Sequence, residues 1–353
     1  MPDAAPLLHV AGLEKAFPGR RSLADWLLRR PALPVRAVDG VSFELRRGEI
    51  LALVGESGCG KTTTGNLVLG LLEPTAGRVE LDGRVVAGLS RGALRGMRRQ
   101  AQMIFQDPYE SLNPRMRVGE IVAEPLQVHR ATASRSEERD RVERALTQAG
   151  LAPASVYLGR YPFELSGGQR QRVVIAAALA LEPSMLVADE PVSMLDVSIR
   201  AEILNLLAAL ARDQGIGVLM ITHDLSTVAA YAQRIAVMYL GRIVEQGPTR
   251  RVLADPQHPY TKALLSVVPV PDPSLRREPV ILGGETPDPG RIPAGCRFHP
   301  RCPVAFERCP QVDPPLFPVG DSHAAACLLV ERTPASATPA RAGRPSPVAR
   351  RAG

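Results

Sequence analysis

The segment Gly55-Glu56-Ser57-Gly58-Cys59-Gly60-Lys61-Thr62-Thr63 constrains this chain more than any other. It follows an apolar run, Ile50–Val54. It precedes a stretch of helical character, Thr62–Leu72, that stops before Pro74. A strand that turns sharply into a helix through such glycines points its backbone N–H groups inward, where they surround phosphate oxygens. The helix N-terminus adds partial positive charge. A lysine at position 61 reaches terminal phosphates, and the Thr62 hydroxyl can hold Mg²⁺.

A site of this kind needs a metal-holding carboxylate on a neighbouring strand. Met185-Leu-Val-Ala-Asp189-Glu190 supplies one. Four apolar residues bury a strand and leave Asp189 at its C-terminal end, where ligands of open α/β sheets bind. Asp189 is the candidate Mg²⁺ ligand, and Glu190 is placed to polarise an attacking water. Strand and helix patterns alternate through residues 50–225, which predicts an α/β core. Residues 7–17 and 41–54 read as strands. Arg78–Val86 and Arg234–Glu245 read as hairpins turning at Asp82-Gly83 and Gly241. Met103–Phe105 and Val218–Thr222 read as short strands, and Ser136–Ala149 as a charged helix stopped by Gly150. Residues from about 107 to 168 interrupt the alternation as a mainly helical insertion.

The net charge of +7 raises the question of nucleic acid. Its distribution argues against that partner, because the excess arginine lies in residues 18–36 and 331–353 and the stretch between them is close to neutral. The longest apolar run, Val173–Leu181, is too short to span a bilayer. The opening MPDAAPLLHV lacks the layout of a signal peptide, so a cytoplasmic-type chain is expected.

Leu165-Ser166-Gly167-Gly168-Gln169 opens a further helix after the insertion. Read alone it is a helix cap; it also offers a second anion site at a helix N-terminus. One chain has no use for two terminal-phosphate sites unless two chains pair head to tail. The order Gln106, Leu165–Gln169, Asp189-Glu190, Ser193-Met-Leu-Asp196 and His223 resembles the ATP-binding cassette of ABC transporters over about residues 7–250. The resemblance implies a P-loop ATPase domain with an antiparallel β subdomain and a helical signature subdomain, working with ATP and Mg²⁺. It implies that Phe17 stacks on adenine and that Gln106 senses γ-phosphate and metal. By it, His223 contacts the γ-phosphate, Asp196 lies at a dimer seam, and Ser166, Gly167, Gly168 and Gln169 close on the nucleotide of the partner chain. Lys61, Gln106, Glu190 and His223 are the expected catalytic set. Met194 stands where the pattern commonly has alanine, and Ala177 where it has arginine; neither removes a phosphate or metal ligand.

Four of the five cysteines, Cys296, Cys302, Cys309 and Cys327, cluster near the end. Together with His258-Pro-Tyr260-Thr-Lys-Ala-Leu and Gly295-Cys-Arg-Phe-His-Pro-Arg-Cys302-Pro, they resemble the C-terminal extension of oligopeptide, dipeptide and nickel importer ATPases, the F-type subunits of dipeptide importers in particular. Four thiolates can close a zinc site or hold an iron–sulfur cluster; free thiols remain a third state. The resemblance points to a 4Fe–4S cluster, with His299 and His323 as substitute ligands. Cys59 reads as a small space-filler of the phosphate loop.

The expected organisation is an ATP-binding domain over 1–254, a small irregular cysteine-containing module over 255–330, and a disordered tail over 331–353. With no membrane span, the chain would need two separate permease subunits and an extracytoplasmic solute-binding protein. It would pair with a sister ATPase at the cytoplasmic face of the membrane. Two other readings compete: a non-transport ABC ATPase, and a metal-centred regulator whose nucleotide site is only a switch.

Overall fold

The computed structural model describes residues 5–19, 34–86, 88–268, 280, 282–284 and 287–331. Residues 20–33, most of the arginine-rich stretch 18–36, and the tail after Glu331 lie outside the described residues.

Alternating strands open the fold. β1 (Leu8–Phe17) and β2 (Val35–Leu45) pair antiparallel and bury Leu8, Val10, Leu13, Val41, Phe43 and Leu45. Residues 41–54, expected as continuous strand, break at a turn in which the Glu49 carboxylate accepts from the Arg46 N–H at 2.8 Å. The chain resumes as β3 (Ile50–Val54) in a different sheet. Helix α1 (Lys61–Val68) follows, shorter than its periodicity predicts. β4 (Ala76–Leu81) and β5 (Arg84–Val85) form the expected hairpin and complete a four-stranded sheet in the order β2-β1-β4-β5.

Helix α2 (Arg91–Gln100) leads into β6 (Ala101–Ile104). The helical insertion then supplies α3 (Pro108–Ser111), α4 (Val118–His129) and α5 (Arg135–Gln148), which pack on α6 (Gly167–Leu179). Val122 and Leu126 of α4, Val142 and Leu146 of α5, and Val173 and Ile175 of α6 are buried in one apolar cluster. Each such side chain contributes about 1.5–3 kcal/mol.

β7 (Met185–Asp189), α7 (Val197–Gln214), β8 (Gly217–Thr222), α8 (Leu225–Tyr231), β9 (Arg234–Tyr239) and β10 (Arg242–Pro248) complete the core. Strands β9, β3, β8, β7 and β6 run parallel in that order. Every residue of β3, β7 and β8 is buried, which is why these strands read as unbroken apolar runs rather than alternating ones. The register sets Val54 beside Thr222, Asp189 beside Ile221 and Ile104 beside Ala188. Four strand ends therefore open on one edge. No described helix is long and apolar enough to cross a membrane.

The C-terminal extension, expected as a small irregular cysteine-containing module over 255–330, adds two short strands to the edge of the large sheet. After α9 (Thr249–Ala254) and α10 (Pro259–Ser266), strands β11 (Phe317–Gly320) and β12 (His323–Ala325) continue the large sheet, and the described chain closes with α11 (Leu328–Glu331). β12 pairs with β10 at Glu245↔Ala325 and Gln246↔Ala324. The fully buried Glu245 carboxylate accepts from the N–H groups of Gln257 (2.7 Å) and His258 (3.0 Å), and His323 Nε2 lies at 2.8 Å. Burial alone would raise its pKa, but the hydrogen bonds from His323, Gln257 and His258 hold it below the ordinary carboxylate range. Burial also pushes His258 down to about 4, so that its neutral Nδ1 accepts from the Tyr260 N–H and caps α10. A second buried pair, Arg297 with Asp39 of β2, ties the extension to the four-stranded sheet.

Truncating Glu245 leaves buried donors unpaired. Glu245→Ala should cost about 3 kcal/mol in urea unfolding and make the extension sensitive to limited proteolysis. Unfolded His258 takes a proton near the ordinary histidine value of 6.5, whereas the folded residue does so only near 4, so stability falls as pH drops through that window. Glu245 adds to the loss from about its ordinary 4.5 downward, where the unfolded carboxyl takes a proton that the folded one resists until its depressed pKa is reached. Urea midpoints measured between pH 7 and 4 check this direction.

Candidate nucleotide-binding site

The turn from β3 into α1 has room for backbone alone at two places. A Cβ on Gly55 would stand 2.2 Å from the Met238 carbonyl oxygen and 2.7 Å from Cys59 Sγ. At Gly60 it would stand 2.1 Å from the Ala37 carbonyl oxygen, and Gly60 also holds φ 107°, a left-handed value that glycine alone adopts freely. The β9–β10 hairpin clamps the loop from outside, with the Gly241 N–H donating to the Cys59 carbonyl at 2.9 Å. Lys61 is buried, and its ammonium group donates to the carbonyls of Gly55 (2.7 Å) and Glu56 (2.9 Å). Ser57, Gly58 and Thr62 are exposed on the open side, with Thr63 half-buried beside them. Cys59 is buried; burial raises its thiol pKa against the opposing charge of Lys61, which fits a filler rather than a reactive thiol.

Asp189 ends β7, nearly buried, near the Thr62 side chain, whose hydroxyl favours the charged carboxylate. Burial raises its pKa first, and the neighbouring Glu190 adds to the rise. A carboxylate held in this way, beside a hydroxyl at a helix start, fits a divalent cation. The next residue carries strain: Glu190 adopts φ 43°, secured by its N–H to the Ile221 carbonyl at 2.9 Å and by its own carbonyl, which accepts from the Ser193 hydroxyl at 3.1 Å. This conformation turns the carboxylate toward two residues far away in sequence. His223 Nδ1 lies 3.0 Å from one Glu190 oxygen, and the Gln106 amide donates to the other at 3.4 Å. Gln106 follows the end of β6, and His223 follows β8, so the parallel register brings all three together. A carboxylate with two such partners can orient and polarise a water.

Other expected residues lie apart from this cluster. Ser166 caps α6: its hydroxyl accepts from the Gln169 N–H at 3.3 Å, and its N–H donates to Gln169 Oε1 at 3.1 Å. The signature's side chains thus bond within their own turn as a helix cap. Gly168 is required by packing, since a Cβ there would stand 2.5 Å from Ile199 Cγ2 on α7. Asp196, at the start of α7, is exposed between Met194 and Val197, 57% and 80% exposed. Phe17 ends β1, half-buried, with Lys15 Nζ 5.3 Å from its ring centre.

The four clustered cysteines, with His299 and His258, line one small cavity. All four thiols are free, and burial raises those of Cys302 and Cys327 and takes Cys296 up to about 11. Among the described residues, no group of three or more His, Cys, Asp or Glu is placed to hold a metal ion. The geometry therefore does not show the expected metal centre. His299 remains near the thiols, its Nδ1 2.9 Å from the Cys296 carbonyl. His323 does not: it is committed to Glu245.

Two contacts escaped the sequence reading. The Glu56 N–H donates to the Tyr260 hydroxyl at 2.9 Å, and Arg301 pairs with the Glu56 carboxylate at 2.9 and 3.3 Å. Both partners come from the extension, more than two hundred residues along the chain, and no local pattern announces them.

The ABC transporter family matches residues 38–193, and the C-terminal region of oligopeptide/dipeptide transporters matches residues 244–309. A probable peptide ABC transporter ATP-binding protein, y4tS of Sinorhizobium fredii, is 49% identical over 96% of this chain and 92% of its own. The oligopeptide transport ATP-binding protein OppF of Salmonella typhimurium is 46% identical over 92% of this chain and 96% of its own. Among solved structures, the dimeric, ADP- and Pi-bound cassette MJ0796 superposes with TM-score 0.60 at 29% identity, covering 69% of this chain and 99% of that one. The chain belongs to the ABC transporter family as an ATP-hydrolysing subunit that carries the oligopeptide/dipeptide transporter C-terminal region.

Glu190→Gln should lower steady-state ATP hydrolysis by about 100-fold or more while ATP still binds. Gel filtration with ATP should then retain a dimer that the parent chain releases.

Proposed function

We propose that this chain drives uptake of di- or oligopeptides through a separate permease by binding and hydrolysing ATP. The observation that carries the catalytic half is the convergence of Gln106 and His223 on the Glu190 carboxylate, one residue beyond the Asp189–Thr62 pair. The relatives named as peptide transport proteins, and the matching C-terminal region, support the solute class.

In this reading the phosphate loop from Gly55 to Thr63 takes the triphosphate. Backbone N–H groups and Lys61 offset its charge. Phe17 stacks on the base. Asp189, Thr62 and Gln106 hold Mg²⁺, which when bound neutralises charge on the terminal phosphates. Glu190 orients the attacking water, and His223 keeps that carboxylate in place. The signature turn of Ser166 to Gln169 presents its helix N-terminus to the nucleotide of a second ATPase. Asp196 lies at that seam, and the exposed Met194 and Val197 beside it give the seam an apolar contact. Closure on ATP adds charge-assisted contacts that neither face makes alone; hydrolysis removes them.

The partner is a sister ATPase, with the bulky Met194 favouring a heterodimer. Two permease subunits and an extracytoplasmic binding protein complete the importer, and this chain sits at the cytoplasmic face of the membrane. The exposed Phe105 and Tyr109, flanking Gln106, support a permease contact close to the site. The four cysteines are read as ligands of a structural metal centre, a 4Fe–4S cluster ahead of zinc. Their shared cavity and their freedom from disulfides support it.

Co-expression with permease subunits of a peptide importer should yield a membrane complex containing this chain. Its ATP hydrolysis in liposomes should rise several-fold with a loaded binding protein. A complex indifferent to every peptide mixture would overturn the solute class. For the cysteines, anaerobically purified full-length chain should carry close to four iron atoms and absorb near the visible range of iron–sulfur centres. Metal-free protein of unchanged stability would leave them as plain thiols.

A further inference from the structure

Every functional group of Glu56 is held. Its N–H goes to Tyr260 and its carboxylate to Arg301, both in the extension. Its carbonyl goes to Lys61 Nζ at 2.9 Å and the Cys59 N–H at 3.3 Å, both in the loop. The peptide joining Gly55 to Glu56 is gripped at both ends. Its carbonyl, that of Gly55, accepts from Lys61 at 2.7 Å, and its N–H meets Tyr260 at 2.9 Å. A peptide is a rigid plane. Fixing the N–H therefore fixes the carbonyl, and with it one of the two anchors of the Lys61 ammonium group.

The brace has a rigid backing. Tyr260 is fully buried, its ring 4.7 Å from Tyr239 and 5.5 Å from Phe298. Tyr239 ends β9, next to the hairpin that clamps the loop from outside. The Arg301 guanidinium stands 6.0 Å from the Tyr239 ring centre, and its side chain is 10% exposed. Arg301 and Phe298 both belong to the short turn between Cys296 and Cys302, and Arg297 of that turn reaches Asp39 and the Leu240 carbonyl. Three side chains of one turn thus fasten onto the strands around the phosphate loop. A merely appended module has no need to reach the loop itself.

We propose that Tyr260 and Arg301 are positioning residues of the nucleotide site: by holding the Gly55–Glu56 peptide and the Glu56 carboxylate, the C-terminal extension sets how tightly the phosphate loop grips ATP. The inference rests on the loop being the ATP site. Arg301 acts in two ways. It anchors the loop, and it pairs a carboxylate that otherwise faces incoming phosphates as an uncompensated negative charge. Tyr260 acts by geometry alone.

The test uses the full chain with Mg²⁺ and a fluorescent N-methylanthraniloyl ATP. Arg301→Gln should weaken binding about 10-fold and raise KM for ATP in proportion, with kcat within about twofold, since the lost contact serves ground and transition states alike. Arg301→Lys should recover part of the loss. Adding Glu56→Gln to Arg301→Gln should recover more, because it removes the unpaired charge. Tyr260→Phe keeps the ring packing and should weaken binding about fivefold. Lys61→Ala is the control for the site. If Lys61→Ala binds as the parent does, the nucleotide reading itself fails. If Lys61→Ala loses binding while Arg301→Gln and Tyr260→Phe keep it, the brace is wrong. Lower melting temperature with unchanged ATP affinity would likewise overturn it and leave the two residues purely structural.

Discussion

Lys61 is buried against the carbonyls of its own loop, and Gly55 and Gly60 before it have no space for a side chain. The rest of the molecule follows from keeping that turn intact. The turn must be walled by backbone from the β9–β10 hairpin and from β2, so β3 sits centrally between parallel neighbours. The parallel sheet in turn needs crossover helices and buries its strands on both faces. Because all the parallel strands point one way, the residues that follow them gather at one edge, and a nucleotide site becomes available there.

At that edge side-chain contacts converge on one carboxylate. Glu190 occupies a conformation that costs energy, and its backbone bonds to Ile221 and Ser193 hold it there. Gln106 and His223 then meet its two oxygens from opposite sides. Gln106 leads directly into the helical insertion, where Arg170 of α6 lies over the Tyr109 ring at 4.4 Å. The short chain segment from Gln106 to Tyr109 and the Arg170 contact therefore link the Glu190 carboxylate to α6.

The extension has the character of a buried polar frame rather than of a second hydrophobic core. Glu245 with its donors, Arg297 with Asp39, and Arg301 with Glu56 each span the boundary between extension and ATPase core. Buried ion pairs of this kind are weak sources of net stability, but breaking one partner is costly. They fix one arrangement of the two parts. An aromatic cluster of Tyr239, Tyr260, Phe298 and His258 fills the space between them.

Much of this was legible in the residues alone. The glycine spacing before Lys61, the apolar strand ending in Asp189-Glu190, and the hairpins at Asp82-Gly83 and Gly241 all act through local backbone geometry, and local geometry is written in neighbouring residues. The break at Arg46–Glu49 is written as four polar or glycine residues, Arg46-Arg47-Gly48-Glu49; what was not legible is that the two halves join different sheets, because only pairing decides that. Nor was the fate of His323, equally suited by type to a thiol cluster and to a buried carboxylate. The braces from Tyr260 and Arg301 to Glu56 join residues with no shared periodicity. Sequence determined the loop, the strand ends and the chemistry each can carry; tertiary structure alone decided which distant side chains hold them, since a contact between remote residues depends on where the whole sheet brings the chain back.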